Sequence, residues 1–256
     1  MNEIIILLIA GLGAGIITGL FSASAVMFAT PVLIIFMNMS PYNAIGISLG
    51  IDVFASLFAT IVFRKNHNVN FKKSILLVVV AIVFVIVGSW GSKFIPSGDL
   101  SWLVSLGVFA VGILIFRRGS DTKKVKKEFN IPRKKKLFYK ILAGVLIGLI
   151  AGMFGAGGGM MILFALIFIL DYRMHEAIGT SVLIMVFIAL FGASSHYYIS
   201  AFPLKYLLIG AIGGMIGAYF ASRYTNKLDE KVLTKIVGVI ISVLGFALLF
   251  KSILGF

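Results

Sequence analysis

Eight stretches of this chain run for roughly the length of a membrane-crossing helix with almost no charge inside them: residues 4–37, 44–63, 74–95, 100–116, 137–170, 177–199, 204–222 and 232–250. A helix needs about 17 to 25 apolar residues to cross the hydrocarbon, and backbone placed there must satisfy its own polar groups. With 60% hydrophobic and 12% charged residues and a mean hydropathy of +1.10, the chain lacks the polar surface of a soluble domain. The expected class is an all-α polytopic membrane protein. The net charge of +14 does not point to nucleic acid, because most lysines and arginines lie in loops beside hydrophobic runs, where they set membrane orientation. The absence of cysteine excludes disulfides, thiolate metal sites and thiol nucleophiles. The opening residues, MNEIIILLIAG, have no basic leader and are read as the start of the first membrane segment.

The runs fall into two sets of four. Between them lies RRGSDTKKVKKEFNIPRKKK, a polar and basic stretch that belongs in water. This divides the chain into membrane repeat 1 (1–116), a basic cytoplasmic loop (117–136) and membrane repeat 2 (137–256). Sliding the chain by 133 residues sets Gly11, Gly15 and Gly19 on Gly144, Gly148 and Gly152, and Phe21, Ala23 and Met27 on Phe154, Ala156 and Met160. The register continues without a gap through Ala44, Ile45, Gly46 and Ser48 on Ala177, Ile178, Gly179 and Ser181. Such persistence indicates a duplicated unit.

Each repeat opens with a run too long for one straight crossing, since 34 residues of helix extend about 51 Å against roughly 30 Å of hydrocarbon. Small residues interrupt both runs at the same place: FSASAVMF at 21–28 and FGAGGGMM at 154–161. The interruption divides either a single broken crossing or a hairpin that enters and leaves on one side. Hairpins put 19 Lys and Arg inside and three outside, whereas single broken crossings put 17 inside and five outside, so charge favours hairpins. Hairpins also give each repeat an odd number of crossings. The expected architecture is therefore two homologous, inverted repeats, each with a broken or re-entrant first helix followed by three transmembrane helices.

Contiguous glycines permit a sharp turn that exposes successive N–H groups, and the helix starting near Gly159 adds the positive end of its dipole. The pair forms an anion site that needs no arginine, and the cores of the runs carry none. Ser22 and Ser24 of the other copy are placed to add hydroxyl donors. Glycines spaced by four at 11, 15 and 19, and at 144, 148 and 152, with 210, 214 and 217, instead read as close helix packing. Ser48, Asp52 and Ser56 share one helix face, and an intramembrane carboxylate is a functional candidate by default. Asp52 is accordingly a candidate for proton exchange, with a neutral, helix-joining acid as the alternative. The second repeat carries Met185 in its place, with Thr180 and Ser181 at the start of the helix and His196 near its far end. His196 is a second proton-carrier candidate, although its neighbours Tyr197 and Tyr198 suggest the membrane interface. His67 and His175 read as solvated loop residues.

The segments GLIAGMFGAGGGMMILFALIFILDYRMHEAIGTS and GIITGLFSASAVMFATPVLIIFMNMSPYNAIGIS resemble the TauE/SafE family of sulfite exporters, and the similarity spans almost the whole chain. The resemblance implies outward, proton-coupled transport of small sulfur-containing anions such as sulfite or sulfoacetate, with no cofactor. It points to Gly155, Gly157, Gly158, Gly159, Thr180 and Ser181 in the second copy, and to Ser22, Ser24 and Ser48 in the first, as substrate-binding. The partners it implies are a small anion, protons and the lipid bilayer, in the plasma membrane of a prokaryote, as monomer or homodimer. The second reading is an anion channel or uncoupled permease. An enzyme is disfavoured because the chain has no HExxH and no cluster of acids and histidines.

Overall fold

In the computed structural model of the protein, the described residues are 3–120, 133–155, 158–172 and 174–225, with positions 239, 242, 243, 245–247, 249 and 250. Up to Tyr224 they form helices α1 (Glu3–Phe21), α2 (Val26–Met37), α3 (Pro41–Lys65), α4 (Ile75–Lys93), α5 (Ser97–Ser120), α6 (Arg133–Phe154), α7 (Gly158–Phe168), α8 (Met174–Ser200) and α9 (Leu204–Tyr224), plus one short turn at Lys72–Ser74. No strand occurs among the described residues, and six of these helices are long and apolar enough to cross a membrane. Adding 133 to α3 gives 174–198, nearly the bounds of α8. The duplication is therefore visible in the helix boundaries as well as in the letters.

Both opening runs break at their small-residue clusters, into helices of 19 and 12 residues in the first half and 22 and 11 in the second. Each break begins at a left-handed residue, Ser22 (φ 54°) and Gly155 (φ 64°), and these two positions correspond at the offset of 133. Glycine adopts that conformation freely, whereas a serine there costs about 1–2 kcal/mol and must be held by its contacts. The following helices end alike, at left-handed Asn38 and Asp171, residue types that tolerate the geometry. In the first half the chain doubles back: a Cβ at Gly13 would strike the ring of Phe28, although 15 residues of straight helix would separate them by about 22 Å. The first run is thus a hairpin.

The glycines spaced by four lie at helix contacts. A Cβ at Gly11, Gly15 or Gly19 would meet the backbone of Gly210, Gly214 or Ala218, so α1 and α9 cross closely and run in the same direction. At the matching places Gly144, Gly148 and Gly152 of α6 meet the backbone of Leu77, Ala81 and Val85, so α6 and α4 are parallel too. Each pair joins a helix of one half to a helix of the other. Without water to drive apolar groups together, such close backbone approach is what holds helices in lipid. Gly148→Leu should cost about 1–3 kcal/mol, because the added side chain faces an adjacent backbone that cannot yield. Thermal unfolding of the purified protein in detergent checks this, and an unchanged midpoint would contradict it.

At the centre α3 and α8 cross antiparallel, with Gly46 beside His196, Gly192 beside Leu49, and Gly179 beside Phe63. Helix α9 runs parallel to α3, through Gly210 and Gly214 on Ile51 and Ala55. Val79, Val83 and Val87 on α4 and their counterparts Ile212, Ile216 and Phe220 on α9 form exposed apolar stripes. A stripe of that composition faces lipid, leaving the small and hydroxyl residues for the interior.

Candidate functional site at the two helix breaks

The two breaks meet each other. Ser24 Oγ lies 3.2 Å from the carbonyl of Gly155, a Cβ at Gly159 would strike the carbonyl of Ser22, and one at Gly155 would press on Val26. The contact is reciprocal under the 133-residue offset, since Val26 and Gly159 are equivalent, as are Ser22 and Gly155. Gly155 therefore serves twice, once for the left-handed turn and once for the approach of the opposing turn, while Gly159 serves the approach alone.

Asp52 lies next to this contact, at the middle of the 25-residue α3, and is 1% exposed. Three hydroxyls donate to its carboxylate: Ser24 to Oδ2 at 2.6 Å, Ser56 to Oδ1 at 3.1 Å and Thr18 to Oδ1 at 3.4 Å. Ser24 immediately precedes Ala25, the N-cap of α2. The carboxylate thus sits at the N-terminal end of a short helix and in contact with the break, where the dipole and the free N–H groups favour negative charge. Its counterpart Met185 brings a thioether to Gly159, at the start of α7. The same place in the two halves therefore holds a carboxyl group in one and a thioether in the other.

Ser24 connects the two halves. Its single proton can serve Asp52 or the Gly155 carbonyl, both within reach, but not both at once. Ser22 and Ser181 are hydrogen-bonded across the breaks. Ser181 gives its proton to the carbonyl of Ile178 at 2.8 Å, so Ser22 is the donor to Ser181.

Of the residues singled out in the sequence, the structure brings together Ser22, Ser24, Asp52, Gly155, Gly159 and Ser181. Gly158 is buried beside them, with only the Ala151 side chain near its Cβ position. Gly157 lies outside the described residues. Ser48 is one turn before Asp52 and accepts a bond from Thr30 of α2 at 3.0 Å. Thr180 stands apart, accepting the N–H of Asn70 at 2.9 Å in the loop between α3 and α4. His196 is not at a surface with Tyr197 and Tyr198. It is fully buried, its ring centroid is 4.2 Å from that of Tyr42, and its Nε2–H donates to the carbonyl of Gly152 at 3.0 Å. That carbonyl belongs to the last turn of α6, where the helix supplies no donor of its own. At the equivalent carbonyl, Gly19, the donor is Thr225 Oγ1 at 2.9 Å. His67 is exposed, and the side chain of His175 lies outside the described residues.

Thr18 was not visible as a site residue from the sequence. It stands one turn before Ser22 on the last face of α1, so a break at residue 22 could have indicated it. The capping roles of Ser89, which also reaches the Gly152 carbonyl at 3.4 Å, and of Thr225 required the tertiary contacts.

A family model described as "Sulfite exporter TauE/SafE" matches residues 7–248. The chain is 27% identical over 237 residues to "Probable membrane transporter protein YdhB" of Bacillus subtilis, covering 92% of this chain and 96% of the relative. It is 23% identical over 257 residues to YunE of the same organism, covering 95% and 92%, which carries the same description. A third relative, MJ0441 of Methanocaldococcus jannaschii, also described as a probable membrane transporter protein, is 27% identical over 259 residues, covering 95% and 94%. No solved structure matches the chain.

Proposed function

The chain belongs to the TauE/SafE family and is a multi-pass membrane transporter, and on that premise we propose that it exports small sulfur-containing anions, sulfite or a sulfonate such as sulfoacetate, in a step coupled to protons through Asp52. Sulfite is the substrate named in the description of the family model, and the sulfonate extends the proposal to a chemically similar anion. The plasma membrane of a prokaryote is the location that fits relatives from Bacillus subtilis and Methanocaldococcus jannaschii.

One observation carries the reading. In the first half the carboxyl group of Asp52 lies beside Ser24, next to the N-cap of α2, while in the second half Met185 leaves the start of α7 without a carboxyl group. A substrate anion at the start of α7, beside Gly159, would take the place that Asp52 holds in its own repeat. There it meets the positive end of the α7 dipole, and the Ser22 hydroxyl turns toward it from Ser181. Ser24, Gly155 and the other small residues of both breaks frame the position. Ser48 and Thr180 support it at a distance, the first by fixing α2 to α3, the second by fixing the start of α8 to the Asn70 loop.

An anion beside a carboxylate is repelled, by about 3 kcal/mol for unit charges ~6 Å apart at an effective dielectric of 20. A proton on Asp52 removes that cost. It also frees Ser24: the protonated acid donates to Ser24 Oγ, and Ser24 donates onward to the Gly155 carbonyl. Proton and anion therefore favour each other's binding, and the coupling is reciprocal. His196 acts in this scheme at the base of α6, through the Gly152 carbonyl.

Inversion of the two repeats suits alternating access. It is supported by the helix directions: α1 and α3 run with α9, α6 runs with α4, and α3 opposes α8. The test is flux of sulfite and sulfoacetate in proteoliposomes under an imposed pH gradient. Saturable flux that responds to the gradient is the expected result. Saturable flux that ignores the gradient would remove the coupling, and flux that does not saturate would indicate a channel.

A further inference from the structure

We propose that the oxygen cluster around Asp52 is a binding site for a small monovalent cation, with Na+ as the fitting ion and the proton as its competitor. The inference deepens the coupling reading above and rests on its premise that Asp52 carries the coupling charge.

Five side-chain oxygens form one hydrogen-bonded cluster: Ser24 Oγ donates to Asp52 Oδ2 at 2.6 Å, and Ser56 Oγ and Thr18 Oγ1 donate to Oδ1 at 3.1 and 3.4 Å. They come from α1, the first break and α3, and none of these residues is more than 2% exposed. A set of carboxylate and hydroxyl oxygens suits hard cations, and among the described residues no group of three His, Cys, Asp or Glu offers a transition-metal alternative.

Charge selects the valence. Among the described residues the one salt bridge is Lys136 with Asp171, remote from this cluster, so Asp52 is a buried carboxylate without a cationic side-chain partner. Neutralising it inside the membrane takes one positive charge, whereas a divalent ion would leave a net charge of the opposite sign in the same apolar surroundings. The cluster is compact, with hydrogen bonds of 2.6 to 3.4 Å, so an ion that takes the place of the hydroxyl protons must spread it, and Na+ or Li+ spreads it less than K+.

The hydroxyls can turn their lone pairs inward without losing their protons' partners. Ser24 has the Gly155 carbonyl at 3.2 Å. Thr18 and Ser56 lie within helices, where a hydroxyl donates to the carbonyl one turn earlier, as Thr60 does to Ser56 at 2.7 Å. Cation and proton thus have the same effect on Ser24, directing its hydrogen to the second break.

The experiment is thermal unfolding of the full-length purified protein in detergent at fixed ionic strength, with NaCl, LiCl or KCl replacing choline chloride. A saturable rise of the midpoint with Na+, smaller or absent with K+, is expected. Ser56→Ala and Thr18→Val should each weaken the apparent Na+ affinity about tenfold, the equivalent of one lost ligand at 1.4 kcal/mol per decade, and Asp52→Asn should remove the response. A wild-type midpoint indifferent to Na+ would overturn the proposal, as would a Na+ response preserved in Asp52→Asn. Flux in Na+-free proteoliposomes separates the two readings: pH-driven anion flux without any Na+ effect leaves the coupling reading standing and ends this one.

Discussion

Gly159→Ala should reduce anion flux about a hundredfold, a loss of the size produced by displacing a catalytic or binding contact by ~1 Å, while Gly158→Ala should transport almost as well as the native protein. The two glycines are neighbours in one motif, yet their surroundings differ. A methyl group at 159 would meet the carbonyl of Ser22 and the sulfur of Met185. Met185 is flexible and can move aside. The Ser22 carbonyl cannot, because Ser22 is the left-handed residue that closes the first break, with its N–H on the Thr18 carbonyl at 3.0 Å. The two breaks would be forced apart, and the relay from Ser24 to Gly155 would lengthen. At 158 the methyl group meets only the side chain of Ala151, at 3.3 Å, and alanine gains up to about 1 kcal/mol of helix propensity there. Flux in proteoliposomes, with size-exclusion profiles to establish folding, checks the pair. Equal rates in the two variants would mean that the opposed breaks need not touch.

Most of the fold could be read before any coordinates, for reasons that lie in particular residues. The apolar runs up to residue 222 required helices because lipid leaves backbone no other partner, whereas most of the run 232–250 lies outside the described residues; the FGAGGG and FSASAV clusters marked the breaks because 34 residues exceed the membrane thickness. Gly11, Gly15, Gly19 and their copies read correctly as packing positions, although their partners on α9 and α4 depend on how the halves interleave, and nothing local encodes that. The candidate site was less legible. Asp52 stood out because a carboxylate in an apolar run has few reasons to be there. What it touches did not: Thr18 and Ser24 lie 34 and 28 positions away in sequence. His196 shows the limit from the other side. Its tyrosine neighbours in sequence pointed to the interface, but the helix periodicity turns the imidazole inward onto the exposed carbonyl of a broken helix, and a break of that kind is a tertiary feature.

Asp52→Asn should uncouple transport from the pH gradient while leaving the anion bound. The amide is nearly isosteric with the acid and carries no charge at any pH, so it resembles the protonated carboxyl group. Its NH2 can donate to Ser24 Oγ, and Ser24 then donates to the Gly155 carbonyl, the arrangement assigned above to the proton-loaded state. No other titratable side chain among the described residues shares this cluster: the hydrogen bonds to Asp52 come from Thr18, Ser24 and Ser56, and His196 is committed to the Gly152 carbonyl. Anion affinity in the native protein should therefore weaken as pH rises and Asp52 gains its charge, by up to about a hundredfold for the ~3 kcal/mol of repulsion at an effective dielectric of 20. In the variant that dependence should vanish, with affinity held near the native low-pH value. Gradient-driven flux should fall at least tenfold, since a site that cannot release its proton equivalent cannot return empty in the coupled cycle, while exchange of anion for anion should continue. Isothermal titration with sulfite or sulfoacetate at several pH values measures the first effect, and counterflow against net efflux in proteoliposomes measures the second. A merely structural acid joining α1, α2 and α3 would give the opposite pattern: stability would fall, net flux and exchange would decline together, and the pH dependence of binding would survive the substitution.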